Sequence, residues 1–262
     1  MKTYNLLMGA KMGDLFHSLI APAYLYHTTG SKSNFYIAEA CDRFETSLER
    51  SIEELNPIMA YQEYINSFEK FRNGIHKIDY DLNNFRYMGG VGRNHVNINF
   101  LRTILDIESV KFPFDFQFLS APKYDEYSEC LIISRKPCRT QWNDFVEKQY
   151  KHIFSKFDKK IFISFNGKDY DDFPLKDEVE LLVVEELFEF IKVVNSGKLF
   201  IANCSGPLCF ASGLNVNRVG EVGNWIIGNY YQDHLFSSKS EIFSDEGHIF
   251  TPETQYLLRD IL

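Results

Sequence analysis

Apolar residues fall along this chain in short blocks that switch between strand-like runs and helical spacing. Tyr4-Asn-Leu-Leu-Met8 is a compact apolar run of the kind that fills a buried strand, and Gly9 to Gly13 supplies a turn after it. Asp14 suits the N-cap of a helix through Leu15, Leu19 and Ile20, which Pro22 kinks or ends. Asn34-Phe-Tyr-Ile-Ala38 reads as a second strand. Leu48, Ile52 and Leu55 share one helical face, and Ile58, Tyr61, Ile65 and Phe68 extend it beyond Pro57. Phe85 to Asn94 contains Gly89, Gly90 and Gly92 and predicts a loop. Val96, Phe100, Leu101, Ile104 and Leu105 predict another helix. Lys111 to Glu129 shows little periodicity and several turn-forming residues, so a domain boundary is expected there.

The second half alternates more sharply. Cys130-Leu-Ile-Ile133, Ile161-Phe-Ile-Ser-Phe165 and Val179 to Val184 predict strands. Trp142, Phe145, Val146, Ile153, Phe154 and Phe157 repeat at helical spacing. Glu185 to Asn195 predicts a helix closed by Gly197 as its C-cap, followed by a strand at 199–202, a helix at 207–214 and a strand at Arg218–Val222. Thr251-Pro252 opens a last helix running to Leu262. Strands alternating with helices imply parallel sheets with right-handed crossovers. Each half begins on a strand, which suits two similarly built domains facing each other.

Composition narrows the function classes. The chain has 262 residues, enough for one large or two modest domains. Its 24 Phe and 15 Tyr fill cores in the ordinary case and do not by themselves indicate sugar stacking. A formal net charge of -8, with both signs interspersed, leaves no sustained basic face and argues against nucleic acid as a partner. The five cysteines (Cys41, Cys130, Cys138, Cys204, Cys209) show neither disulfide-framework nor CxxC spacing, which suits a reducing compartment. With no signal-peptide pattern and no run near the ~18 apolar residues of a membrane helix, a cytoplasmic protein is expected.

The candidate chemistry centres on Leu199-Phe-Ile-Ala-Asn-Cys-Ser-Gly-Pro-Leu-Cys-Phe-Ala-Ser-Gly-Leu-Asn-Val216. A strand runs into a Ser-Gly-Pro elbow and a short helix. Ser205 can cap that helix, and Pro207 suits its first turn. Backbone N–H groups and the positive end of the helix dipole then favour an anion, most often a phosphate. An ordinary strand-to-helix turn is the alternative. Arg135, Lys136 and Arg139, after the strand at 130–133, are candidate phosphate partners or an exposed basic loop. The Gly9–Gly13 turn lacks the GxGxxG spacing of dinucleotide folds, and Gly90-Val-Gly92 lacks the third glycine, so a hydride-transferring dehydrogenase is not expected.

Two segments together resemble one family. Gly9-Ala-Lys-Met-Gly-Asp-Leu-Phe-His-Ser-Leu-Ile-Ala-Pro-Ala23 resembles the first strand–loop–helix of ADP-heptose–lipopolysaccharide heptosyltransferases. Phe200 to Val216 resembles that family's donor-site signature. The resemblance covers both ends of the chain and little of residues 24–130. It implies an α/β, GT-B-like fold of two facing Rossmann-like domains with parallel sheets. These would be an acceptor-side domain at 1–124 and a nucleotide-sugar-binding domain at 125–262, with the terminal helix packing back on the first.

It further implies inverting, metal-independent glycosyl transfer from a nucleotide-sugar to a surface glycan or glycolipid precursor. No cofactor beyond the donor substrate is needed, and peripheral membrane association through the acceptor is left open. Asp14 takes the position of the family's catalytic carboxylate, its other reading being a helix cap. Lys11, Gly13, Arg135, Lys136, Arg139, Asn203, Cys204, Ser205, Gly206 and Cys209 are the donor-side candidates, and Arg93 and His95 the acceptor-side ones. No metal ligands are expected: Cys204 and Cys209 lie five apart with no obvious third ligand.

Cys204 and Cys209 depart from the acidic residue and the His that relatives commonly carry there, which implies a different donor or weak donor binding. Two alternatives stay open. A degenerate GT-B protein would bind nucleotide or glycan without turnover. A sugar-nucleotide epimerase would need several acid/base groups, of which Glu221 is the nearest carboxylate.

Overall fold

The strand blocks assemble into two separate sheets. The computed structural model describes residues 2–9, 12–39, 47–87, 96–105, 115–223 and 237–251. Of the loop expected from Phe85 to Asn94, residues 85–87 instead end a 3-10 helix (Leu82–Tyr87); residues 88–94, Lys11, Arg93, His95 and residues 252–262 of the expected last helix lie outside the described residues. β1 (Tyr4–Met8), β2 (Ser33–Ile37), β3 (Ile65–Lys70) and β4 (Tyr80–Asp81) form a parallel sheet in the order β3-β2-β1-β4. The second sheet holds β5 (Leu131–Ser134), β6 (Lys160–Ser164), β7 (Glu180–Val183), β8 (Leu199–Asn203), β9 (Arg218–Val222), β10 (Ser240–Ser244) and β11 (Ile249–Phe250). Its order is β11-β10-β9-β8-β5-β6-β7, parallel except for β11. Counted from its first strand, the parallel part reads 3-2-1-4-5-6, the doubly wound order, and the first sheet reads 3-2-1-4. In such sheets ligands bind beyond the strand carboxyl ends where the order reverses, here after β1 and after β5.

Several local expectations are corrected. The helix α1 (Met12–Ser18) begins before Asp14, which therefore sits in its first turn rather than at its cap. The chain breaks at Leu19, ahead of Pro22, and α2 (Ile20–Thr29) carries Pro22 in its first turn, where a missing N–H costs little. The helix α3 (Leu48–Ala60) starts on a Ser47 cap that accepts from the Arg50 amide at 3.0 Å, and it runs through Pro57. Ile65 and Phe68 do not continue it; they lie in β3. Their helix-like spacing arises because the β2–β3 register shifts between Ser33 and Asn34, so residues three apart are both buried. α4 (Val96–Ile104), α5 (Asp144–Phe154), the short α6 (Lys168–Asp171), α7 (Leu187–Ser196) and α8 (Gly206–Gly213) complete the α-helices of the described residues. Gly197 ends α7, but at φ -66° it is not a left-handed cap. A Cβ there would stand 2.5 Å from Ile132 Cγ1, so close approach to β5 is what requires glycine.

Alternation along the second sheet separates two apolar layers. Ile132 joins a cluster that also contains Leu6, Phe16, Phe35, Phe190 and Phe210, so one core runs between the two sheets. Leu131 and Ile133 face the opposite layer with Val146, Tyr150, Phe162 and Phe173. The connecting stretch is stitched to both halves. The Phe118 and Leu119 amides donate to the Gly213 carbonyl at 2.9 Å each, and the Tyr64 hydroxyl donates to the Phe118 carbonyl at 2.5 Å. Ser120 and Gln62 exchange two hydrogen bonds, at 2.8 and 3.0 Å. No helix among the described residues is long and apolar enough to cross a membrane.

Candidate functional site

The two reversal points meet through the N-terminal turns of α1 and α8. β1 is followed by Gly9, whose amide donates to Asn83 Oδ1 at 2.8 Å and whose missing Cβ would stand 2.7 Å from that oxygen. After it, α1 brings Met12, Gly13 and Asp14 against α8. A Cβ on Gly13 would lie 3.6 Å from Cys209 Sγ, and one on Gly206 3.8 Å from Met12 Sδ. Phe16 and Phe210 pack edge to face, 4.6 Å between centroids, and lock the pair below. Asp14 is half-buried at this junction, and its charge is felt at Cys209.

Ser205 occupies the N-cap of α8 with extended backbone, yet its side chain does not cap the helix. The hydroxyl donates back to the Asn203 carbonyl at 3.1 Å instead. This corrects the expectation and leaves helix-end donors unused. The Cys204 amide is spent on the Glu221 carbonyl and the Leu208 amide on the Ser205 carbonyl, at 3.0 Å each, while Pro207 has no donor. Among the described residues, the amides of Ser205 and Gly206 meet no acceptor. That is the arrangement an anion requires.

The three basic candidates separate. Arg135 does not face a ligand: it is 3% exposed and forms a forked pair with Glu221, which is 0% exposed. Its Nε donates to Oε2 and its Nη2 to Oε1, at 2.9 Å each, and its guanidinium stacks 4.9 Å from the Trp142 ring. Burial opposes its charge, but the Glu221 bond and charge outweigh this and leave its pKa raised. The Tyr150 hydroxyl donates to Glu221 Oε2 at 2.8 Å, and the Thr140 hydroxyl donates to Oε1. Lys136 is exposed, and its ammonium acts on Asp169, where it opposes the upward push of burial. Arg139 is exposed, pairs with no carboxylate among the described residues, and its charge reaches both elbow thiols.

Asn203 is likewise not presented to a ligand. Fully buried, it accepts from the Lys136 amide at 3.1 Å and donates to the Lys136 carbonyl at 2.6 Å. Cys209 is buried against α1 and donates to the Ser205 carbonyl at 3.6 Å, and burial raises its pKa well above the ordinary thiol value. Burial pushes Cys204 up to about 11 against the opposing charge of Arg139. Both thiols are neutral at neutral pH, which disfavours them as nucleophiles or metal ligands. Among the described residues no group of three or more His, Cys, Asp or Glu is placed to hold a metal ion.

The network of Arg135, Thr140, Tyr150 and Glu221 was not anticipated. The available signal was Glu221 inside the strand Arg218-Val-Gly-Glu-Val222: a carboxylate between buried neighbours demands an internal cation. With both oxygens occupied, Glu221 is not placed for the acid/base work an epimerase needs.

No protein-family model matches the chain, and no curated protein does. Solved structures do. The E. coli heptosyltransferase WaaC with ADP aligns over 99% of this chain and 98% of its own, with TM-score 0.61 and 10% identity. The E. coli ADP-heptose LPS heptosyltransferase II aligns over 100% and 98%, with TM-score 0.62 and 11% identity. The family 9 glycosyl transferase from Veillonella parvula DSM 2008 aligns over 99% and 89%, with TM-score 0.62 and 12% identity. The chain is thus similar in fold to GT-B glycosyltransferases and has their α/β architecture with two Rossmann-like sheets.

Proposed function

We propose that the chain is an inverting, metal-independent glycosyltransferase that moves a sugar from a nucleotide-sugar to a glycan or glycolipid precursor. One observation carries the reading: unused amides at the N-terminus of α8 lie in the elbow that the charge of Arg139 reaches and opposite the Asp14 turn of α1, at the reversal points of two doubly wound sheets. The similarity in fold to heptosyltransferases, one of them holding ADP, supports it. On this reading the donor's diphosphate lies on the Ser205 and Gly206 amides, with Arg139 taking charge that develops as the leaving group departs. Asp14 removes the proton of the acceptor hydroxyl as its oxygen attacks the anomeric carbon from the face opposite the diphosphate. Residues 125–262 then form the donor domain and residues 1–124 the acceptor side, working in the cytoplasm, with Lys11, Arg93 and His95 as further contacts.

Calorimetry with ADP, UDP and GDP, with and without a chelator, tests the reading. Binding of at least one, unchanged by chelator, is expected. Binding of none overturns the donor site, and loss of binding on chelation overturns metal independence. A protein that binds nucleotide without turnover shares the first outcome and is separated by failing to transfer sugar in a donor and acceptor screen.

A further inference from the structure

We propose that Glu221 and Thr140 are positioning residues for Arg139: they latch the 135–140 loop to the elbow and so set the strength of diphosphate binding. The inference rests on the donor-site reading above and adds residues to it.

The loop carries its cation at an exposed tip, where a free arginine side chain and a short irregular backbone would sample many positions. Its two ends are held from inside the protein. At the start, Asn203 closes a two-bond ring on the Lys136 backbone. At the end, Thr140 bonds Glu221 through its hydroxyl, and its carbonyl accepts from Arg135 Nη2 at 3.1 Å. Asn203 Nδ2 also reaches Thr140 Oγ1, at 3.3 Å, so the two clamps share an atom. Beyond the loop, the Gln141 amide donates to Asp245 Oδ2 at 3.2 Å. Between the clamps, the Arg139 amide donates to the Lys136 carbonyl at 3.2 Å and folds the tip into a turn.

Glu221 serves both partners of the site. Its side chain holds the loop, and its backbone carbonyl takes the Cys204 amide, fixing the start of the elbow. The distance from Arg139 to the α8 amides is therefore set through one residue. A stability role alone would not require a carboxylate whose side-chain contacts, the Tyr150 hydroxyl on α5 apart, all go to Arg135 and Thr140 at the ends of this loop. An apolar residue filling the same space is often equally stabilising.

Cys138, exposed and one residue before Arg139, provides a direct probe. In a Cys41→Ser background a nitroxide on Cys138 reports loop motion by its spectral line shape, beside calorimetry with ADP, UDP and GDP. Thr140→Val keeps the shape and removes the hydroxyl, Glu221→Gln removes the charge, and Tyr150→Phe removes a Glu221 contact that does not touch the loop. Thr140→Val is expected to mobilise the label and weaken diphosphate binding roughly tenfold, the worth of one lost charge-assisted bond. Arg139→Ala should weaken binding while the label stays ordered. Tyr150→Phe should leave label and binding within about twofold of wild type even where it lowers the melting temperature. If Glu221→Gln does not fold, Thr140→Val decides alone. A label that stays ordered in Thr140→Val, or binding that follows melting temperature across all variants, overturns the proposal. Wild-type protein that binds no nucleoside diphosphate overturns the donor site instead, and the label arm still decides whether the latch exists.

Discussion

His17 makes α1, the helix that carries Asp14, sensitive to acid. It lies in the last turn of α1, 3% exposed, and burial lowers its pKa from 6.5 to about 4 against the raising effect of a hydrogen bond with Asn97. The native protein therefore holds the imidazole neutral, while the unfolded chain takes a proton near pH 6.5. Between those values the unfolded state binds more protons, so stability falls as pH falls. The contribution is complete above about pH 6.5, drains between 6.5 and about 4, and is constant below. The gap corresponds to roughly 3 kcal/mol, a large share of the stability of most domains. Because α1 carries Asp14 and packs on α8, this acid loss falls on the site. Urea unfolding at intervals from pH 4 to 8 should show it in wild type, with His17→Gln shallower by roughly that amount. Carboxylates titrate in the same range, so the difference between the two curves is the measurement. Parallel curves would refute the assignment of the neutral imidazole.

Three further outcomes follow from the geometry. Asp14→Asn should remain folded, still bind nucleotide and lose transfer by roughly 10²–10⁴-fold; full activity in a turnover assay excludes Asp14 as the base. Gly213→Ala places a Cβ 2.9 Å from Leu119 Cβ and from Phe118 Cε2, and should cost about 1–3 kcal/mol in a denaturation midpoint. An unchanged midpoint would show that the crossing of the connecting stretch is loose. Ser205→Ala should cost clearly less than the ~1 kcal/mol of a lost helix cap, because its hydroxyl bonds the Asn203 carbonyl; a full cap penalty in the same assay would contradict that bond.

Strands were the most legible part of the sequence, because an apolar run between turn residues has few other uses in a doubly wound sheet. Arg218–Val222 and Tyr4–Met8 appear where they were expected. The failures have local causes. Ile65 and Phe68 continued a helical spacing because a register shift in β3 buries residues three apart, and periodicity cannot distinguish that from a helix. Gly197 is the C-cap the sequence predicts, but what requires glycine there is contact with Ile132, 65 residues away in the chain, rather than a left-handed turn. Pro22 signals a helix break, but the break falls at Leu19, because proline in the first turn of a second helix looks the same as proline ending the first.

At the site, the sequence located the elbow and its basic loop but could not say which cation faces the ligand. Arg135 follows β5 directly and still points into the sheet, where Glu221 on β9 is waiting for it. Arg139 stands at the tip, beyond the reach of any internal carboxylate among the described residues. Only topology, which places β5 and β9 on either side of β8, reveals that one charge is already neutralised. The consequence is electrostatic. A buried, paired Arg135 adds almost no net field at the elbow, because its charge and that of Glu221 lie 2.9 Å apart and cancel at longer range. The field an incoming diphosphate meets comes from Lys136, Arg139 and the end of α8. Binding should therefore weaken with salt as expected for two exposed cations, Lys136 and Arg139, rather than three. A steep salt dependence that survives removal of both, Lys136→Ala together with Arg139→Ala, would instead point to cations among the residues beyond those described, Lys11 first.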